Sequence, residues 1–317
     1  MFTLAHLSDS HATSVRIPNF RDLFSKRLLG WLKWVLERRR IHRPEVLNAL
    51  TADLHIMRPD HIAITGDLTN LGLMEEFAAA GAWLRQLGDT RSVSLVPGNH
   101  DAYVPEPWEA AWRHWQEYLE SDASHAALLR PQASFRELAE TYFPSVRIRG
   151  AVALVGVCTA RPVGLFRAGG AVGEQQLWRL KKILRDLAAT DLCRVVLIHH
   201  PPTHDDWTLR RGLSDGRALC EVFRKAGADL ILHGHWHETN LETIPGPNGP
   251  IPIVGVRSAS DRTRRPQRSA QYHLYRIERE PLVSGRLQFR IMWVVRQYDR
   301  ARHRFLDGEE RVLGEEG

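Results

Sequence analysis

The chain has 317 residues, 43% of them hydrophobic and 25% charged, with a formal net charge of +6. This composition excludes a disordered or fibrous chain and is long enough for one sizeable core. No apolar run reaches the ~20 residues needed to cross a bilayer. The charge is local. Nine basic residues against two acidic ones give Arg16–Arg43 a balance of +7, which leaves −1 for the rest of the chain. A broad nucleic-acid track is therefore not expected.

Thr3–Leu7 reads as a buried strand that opens the chain without a charged and apolar leader. A cytoplasmic location is expected, at most peripheral on the inner face of the membrane. Cys158, Cys193 and Cys220 are scattered, which suits reduced buried thiols better than disulfides or a thiolate metal site.

Asn19–Arg40 reads as a helix capped by Asn19. Leu23, Trp34, Phe20, Trp31, Phe24, Val35 and Leu28 fall within an arc of roughly 140° on its wheel, and basic residues flank them. Pro44 suits the first turn of a second helix that ends near Met57. His61–Thr65, a helix over Leu73–Leu87 closed by Gly88, and a strand over Ser92–Val96 follow as stacked strand–helix units. Trp108–Leu119 and Ser134–Phe143 then read as helices with no strand between them. Trp108, Trp112 and Trp115 form a stripe on the first of these.

Val146–Ile148 and Val152–Val157 read as strands, Glu174–Leu187 as an amphipathic helix, and Arg194–Ile198, Ser214–Lys225 and Asp229–Leu232 as strand, helix and strand. Antiparallel signals close the chain: Leu241–Ile244 and Ile251–Val256 about a Pro/Gly turn, Tyr272–Ile277 and Leu287–Arg296. The organisation expected is one domain over residues 1–305, with a basic helical insertion at about 16–43 and a helical excursion at about 104–144. An acidic, frayed tail is expected at 306–317. Strands at both ends with helices between predict an α/β sandwich: two mixed sheets face to face, flanked by helices.

Five strand ends present Asp, Asn or His. They are Asp9-Ser10-His11, Gly66-Asp67, Gly98-Asn99-His100-Asp101, His199-His200 and Gly234-His235-Trp236-His237. Ligands at the carboxyl ends of strands suit an α/β active site. A mixed oxygen–nitrogen set without Cys suits Mn, Fe or Zn, and eight candidates are too many for one ion. Two ions that activate water and neutralise phosphoryl charge would use them. His6 and His233 read as buried, hydrogen-bonded residues, and His42, His55, His61, His114, His125 and His204 as surface or packing residues.

These five blocks, in this order, resemble the signature of the calcineurin-like metallophosphoesterases. The resemblance implies a four-layer sandwich around a dinuclear centre that cleaves a phosphodiester or pyrophosphate bond with metal-activated hydroxide. It implies that Asp9, His11 and His237 hold one divalent ion, Asn99, His199 and His235 the other, and that Asp67 bridges them. Manganese is the expected metal, with iron or zinc as alternatives. His100 would protonate the leaving oxygen, with Asp101 orienting it.

Phe24-Ser25-Lys26-Arg27-Leu28-Leu29-Gly30 and the chain length are also similar to a bacterial subgroup, which resembles the chlamydial-type UDP-2,3-diacylglucosamine pyrophosphatase of lipid A synthesis. That resemblance implies a lipid-linked nucleotide substrate and peripheral membrane contact through Asn19–Arg40. Arg257, Arg262, Arg264, Arg265 and Arg268 are candidates for phosphate contacts. A soluble cyclic-nucleotide or glycerophosphodiester phosphodiesterase is the alternative, and a DNA nuclease is disfavoured by the charge balance.

Overall fold

In the computed structural model, residues 1–13, 15, 26–105, 111–122, 142–203, 210–263, 266–281 and 287–314 are described. Asn19–Ser25, Trp108, most of Ser134–Phe143, His125, His204, Arg264 and Arg265 lie outside them.

The strands follow the apolar runs. They are β1 (Phe2–Leu7), β2 (His61–Ile64), β3 (Val93–Leu95), β4 (Ser145–Arg149), β5 (Val152–Val157), β6 (Cys193–Ile198) and β7 (Leu230–His233). A hairpin of β8 (Asn240–Gly246) and β9 (Gly249–Gly255) comes next, then β10 (Gln271–Pro281), β11 (Leu287–Asp299) and β12 (Arg304–Leu313). They form two six-stranded sheets, ordered β12-β11-β10-β1-β2-β3 and β4-β5-β6-β7-β9-β8. β1, β2 and β3 are parallel, as are β5, β6, β7 and β9, while the remaining pairings are antiparallel. The expected sandwich of mixed sheets is therefore present.

Period-two alternation builds its layers. On β5, Val152 and Leu154 face the core between the sheets, whereas Ala153, Val155 and Val157 face a second core beneath the helices Glu174–Ala188 and Gly216–Ala226. β6 divides in the same way, with Val195 and Leu197 on one side and Val196 and Ile198 on the other. The outer face of the first sheet is covered by Pro44–Met57, through Val46, Leu47, Leu50 and Leu54, and by Met74–Leu87, through Phe77, Ala80 and Leu84.

Three expectations need correction. Residues 306–313 of the expected frayed tail belong to β12, an edge strand that buries Phe305 and Leu313 while its acidic residues face water, and residues 315–317 lie outside the described residues. Charges of this kind blunt an exposed edge. The Trp helix is, among the described residues, a 3-10 turn (Trp112–Trp115) followed by one α-turn (Gln116–Leu119). Trp112 and Trp115 are core residues, their indole N–H groups donating to the carbonyls of Asp101 (2.8 Å) and Phe77 (3.0 Å).

The third correction concerns the insertion helix. It is regular over Lys26–Lys33, widens into a π-helical turn over Trp34–Arg38 and finishes with Arg39–Ile41. Trp31 and Trp34 pack against Val15, Leu71 and Leu73. Arg27 donates to the carbonyls of Leu71 (3.2 Å) and Gly72, and the Lys26 ammonium lies 4.4 Å from the Tyr103 ring centre. At Gly30 an added Cβ would meet the Tyr103 hydroxyl and come within 2.6 Å of the Leu71 side chain, so the close approach needs a residue without one.

Candidate metal centre

The C-terminal ends of β1, β2 and β3 lie side by side in one sheet and those of β6 and β7 in the other, so the five motifs meet where the sheets converge. Asp9, His11, Asp67 and His199 are buried, at 0%, 3%, 2% and 0% exposure. His235 donates its backbone N–H to Asp9 Oδ2 at 3.0 Å, which ties β7 to β1. His199 Nδ1 donates to the Thr65 carbonyl at 2.6 Å, which ties β6 to β2.

Backbone strain concentrates here. Asp9, His11, Asp67, His235 and His237 all have left-handed φ values, between 40° and 72°. Such residues carry a local cost that the surrounding fold must hold. The motif glycines permit the crowding: a Cβ at Gly98 would collide with Asp67, and one at Gly234 with Ser8 and Asp9.

Donor atoms within 4.8 Å of one another form the groups Asp9–His11–His237, Asp9–Asp67–His199 and His199–His200–His235. His200 already spends Nδ1 on Thr159 Oγ1 (2.7 Å) and Nε2 on the Ala168 carbonyl (2.9 Å), so it buttresses the site. The other histidines are different. His11 Nδ1 donates to the Thr69 carbonyl at 2.8 Å, which fixes the tautomer and leaves a buried Nε2 lone pair with no partner.

His199 is fixed likewise through Thr65, and its Nε2 lone pair faces Asn99 Oδ1 at 3.1 Å and Asp67 Oδ2 at 3.5 Å. Lone pairs turned toward carbonyl and carboxylate oxygens are reconciled by a cation between them. The donor set therefore fits divalent metals.

Electrostatics supports this reading. Burial, reinforced by the Asp9 and Asp101 carboxylates, holds the Asp67 carboxyl well above the usual range. Burial also works to raise Asp9, but the neighbouring His237, His199 and His11 outweigh it and leave Asp9 well below that range. Burial keeps His11, His199 and His235 below the ordinary imidazole value, so they are neutral and ready to ligate.

His100 and Asp101 part company. The Asp101 carboxylate accepts from the backbone N–H groups of Asp67 (2.8 Å), Leu68 (2.9 Å), Thr69 (3.0 Å) and Gly98 (3.0 Å), and from Thr69 Oγ1 (3.1 Å). It fixes the Asp67 loop, and its hydrogen bonds go to that loop rather than to the His100 ring that the resemblance has it orient. His100 instead donates from Nδ1 to the Asn70 carbonyl at 2.5 Å and stacks on Tyr103. Its backbone N–H donates to Asp67 Oδ1 at 2.7 Å.

A calcineurin-like phosphoesterase family model matches residues 2–239. The chain belongs to that family. It is a metal-dependent phosphoester hydrolase of the two-sheet calcineurin-like type. A dimetal phosphatase from Danio rerio shares the fold at 14% identity and a TM-score of 0.58, over 98% of each chain. Purple acid phosphatase PPD1 from yellow lupin (Lupinus luteus) seeds shares it at 13% identity and a TM-score of 0.52, over 96% of this chain and 52% of that one. No curated protein sequence matches.

Two site residues escaped the sequence reading, both from the basic insertion. Arg38 Nη1 lies 3.0 Å from His100 Nε2 and 3.3 Å from Nδ1. The His42 ring centre is 4.4 Å from that of His11, and its Nδ1 contacts Ser260 Oγ at 2.7 Å, so of the surface and packing roles expected for it His42 takes the packing one, as a wall of the site. A signal existed. Arg38 follows Trp31 by seven residues and Trp34 by four, on the docked face, and His42 follows Arg38 by four.

Proposed function

We propose that this calcineurin-like enzyme hydrolyses the phosphoanhydride of a lipid-linked nucleotide such as UDP-2,3-diacylglucosamine, with two divalent ions, manganese foremost. Asp9, His11 and His237 would hold one ion, and Asn99, His199 and His235 the other, with Asp67 between them. The convergence of His199 Nε2 (3.1 Å) and His235 Nδ1 (2.9 Å) on Asn99 Oδ1, and of His237 Nε2 on Asp9 Oδ1 (3.1 Å), supports this division. When bound, the ions supply an acidified water and charge neutralisation at the phosphoryl group.

The protein's own groups do the rest. Asp101 fixes the Asp67 loop through its five donors. His100, held by Asn70, keeps Nε2 toward the site to serve the leaving oxygen. Burial and the Arg38 cation hold its pKa well below the usual value, and a phosphoryl anion beside the ring offsets both.

The lipid-linked substrate rests on one observation: the insertion helix that brings Arg38 to His100 leaves Leu29, Leu32 and Leu36 44%, 42% and 70% exposed. Exposed Lys33, Arg39 and Arg40 flank these leucines. An apolar strip with cations around it, beside a phosphoesterase site, suits an acylated diphosphate at the membrane surface. No helix among the described residues is long and apolar enough to cross a membrane, so the contact proposed is peripheral.

With manganese, the purified protein should release UMP and the acylated sugar monophosphate from UDP-2,3-diacylglucosamine. Cleavage of a soluble diester without UMP release would reject this substrate and favour a cyclic-nucleotide or glycerophosphodiester phosphodiesterase.

A further inference from the structure

The insertion grips the His100 loop twice. Lys26 sits over Tyr103, which stacks on His100 with 5.5 Å between ring centres and 16° between planes. At the other end of the helix, after the π-helical turn, Arg38 reaches the same imidazole directly. π-Turns recur where a helix must deliver a side chain to a site.

The Arg38 contact is a weak resting place for a guanidinium. Nδ1 of His100 already donates to Asn70, so Arg38 can donate only to the single Nε2 lone pair. Among the described residues Arg38 makes no ion pair with a carboxylate within 4.0 Å, although Asp67 and Asp9 lie close enough to influence it. Once those carboxylates are committed to metals, the guanidinium keeps a cation's charge and a fork of donors, with Glu37 the one other carboxylate among the described residues that influences it. A planar guanidinium of this kind is matched by two phosphoryl oxygens.

We propose that Arg38 is a substrate-binding residue that takes a phosphoryl oxygen of the substrate in place of His100 Nε2, so that binding the anion also uncovers the nitrogen that serves the leaving group. The insertion helix is then part of the active site as well as its roof. This inference rests on the phosphoesterase reading of the metal centre and deepens it. Arg38 contributes no bond-making step. It binds and orients the anion, and its displacement from His100 makes occupancy of the site and availability of the imidazole one event.

The test uses the manganese-loaded full chain with bis(p-nitrophenyl) phosphate as the diester and orthophosphate as a binding probe. Arg38→Ala should lower kcat/KM by about 10²-fold, weaken orthophosphate binding by calorimetry about tenfold or more, and leave metal content and melting temperature unchanged. Added guanidinium should restore part of the lost rate, and Arg38→Lys should keep an intermediate activity because the charge remains while the fork is lost.

Orthophosphate binding equal to wild type, or a loss of rate that guanidinium does not rescue in either variant, would make Arg38 a structural cap on His100 and overturn the proposal. A wild-type protein that binds orthophosphate but cleaves neither the diester nor UDP-2,3-diacylglucosamine would instead defeat the phosphoesterase reading, with the calorimetry still judging Arg38.

Discussion

Asp67→Ala is expected to reduce phosphodiester hydrolysis by at least about 10³-fold, because it removes several kcal/mol of metal-borne charge stabilisation. The carboxylate shares one donor group with Asp9 and His199, with Oδ2 3.5 Å from His199 Nε2 and Oδ1 accepting from the His100 backbone. Its loss should therefore lower metal content as well as rate, which elemental analysis of the dialysed protein will show. A pH dependence accompanies this. Burial among carboxylates raises the Asp67 pKa, so without metal its carboxyl retains a proton further up the pH scale. Metal must displace that proton, and uptake should weaken as pH falls. In Asp67→Asn this part of the dependence should vanish. Unchanged metal content in Asp67→Ala would remove the residue from the centre.

His100→Ala is the second large effect, with a different signature. The ring is held through Asn70 and Tyr103 and is absent from the donor groups with metal-ligating spacing. Metal content should stay at the wild-type level while kcat falls by about 10²- to 10⁴-fold, the range for a positioned proton donor. A diester with a good leaving group, such as a nitrophenolate, needs less protonation, so the variant should lose less activity on it than on an alkyl ester. An equal loss on both substrates would remove the proton-transfer role, and a halved metal content would make His100 a ligand.

The site was legible because its chemistry sits at strand ends. An apolar run followed by Asp, Asn or His is visible without any tertiary information, and five such runs mark five of the strands and the candidate ligands at their ends. The partners of Asp101 are not legible in the same way. The resemblance implies that it orients His100, but in a tight turn neighbouring side chains diverge, and Asp101 turns to the backbone of the Asp67 loop. Arg38 and His42 required the docking of a helix whose wheel shows which residues share a face but not what that face meets. The spacing of the Trp stripe suits a helix, whereas the described part is a 3-10 turn that carries Trp112 and Trp115 into the core, where their N–H groups find carbonyls. The acidic C-terminus looked frayed by composition. Pairing with β11 and the burial of Phe305 and Leu313 hold it as an edge strand.

The central claim is that His and Asp side chains from both sheets hold two ions that together sustain phosphoester hydrolysis. Stripping the protein with a chelator and restoring manganese stepwise, while following bound metal and diester cleavage on the same samples, tests it most directly. The account predicts no cleavage by the stripped protein and full activity only as the second ion per chain is bound. Full activity at one ion per chain, or cleavage that persists in the chelator, would contradict it.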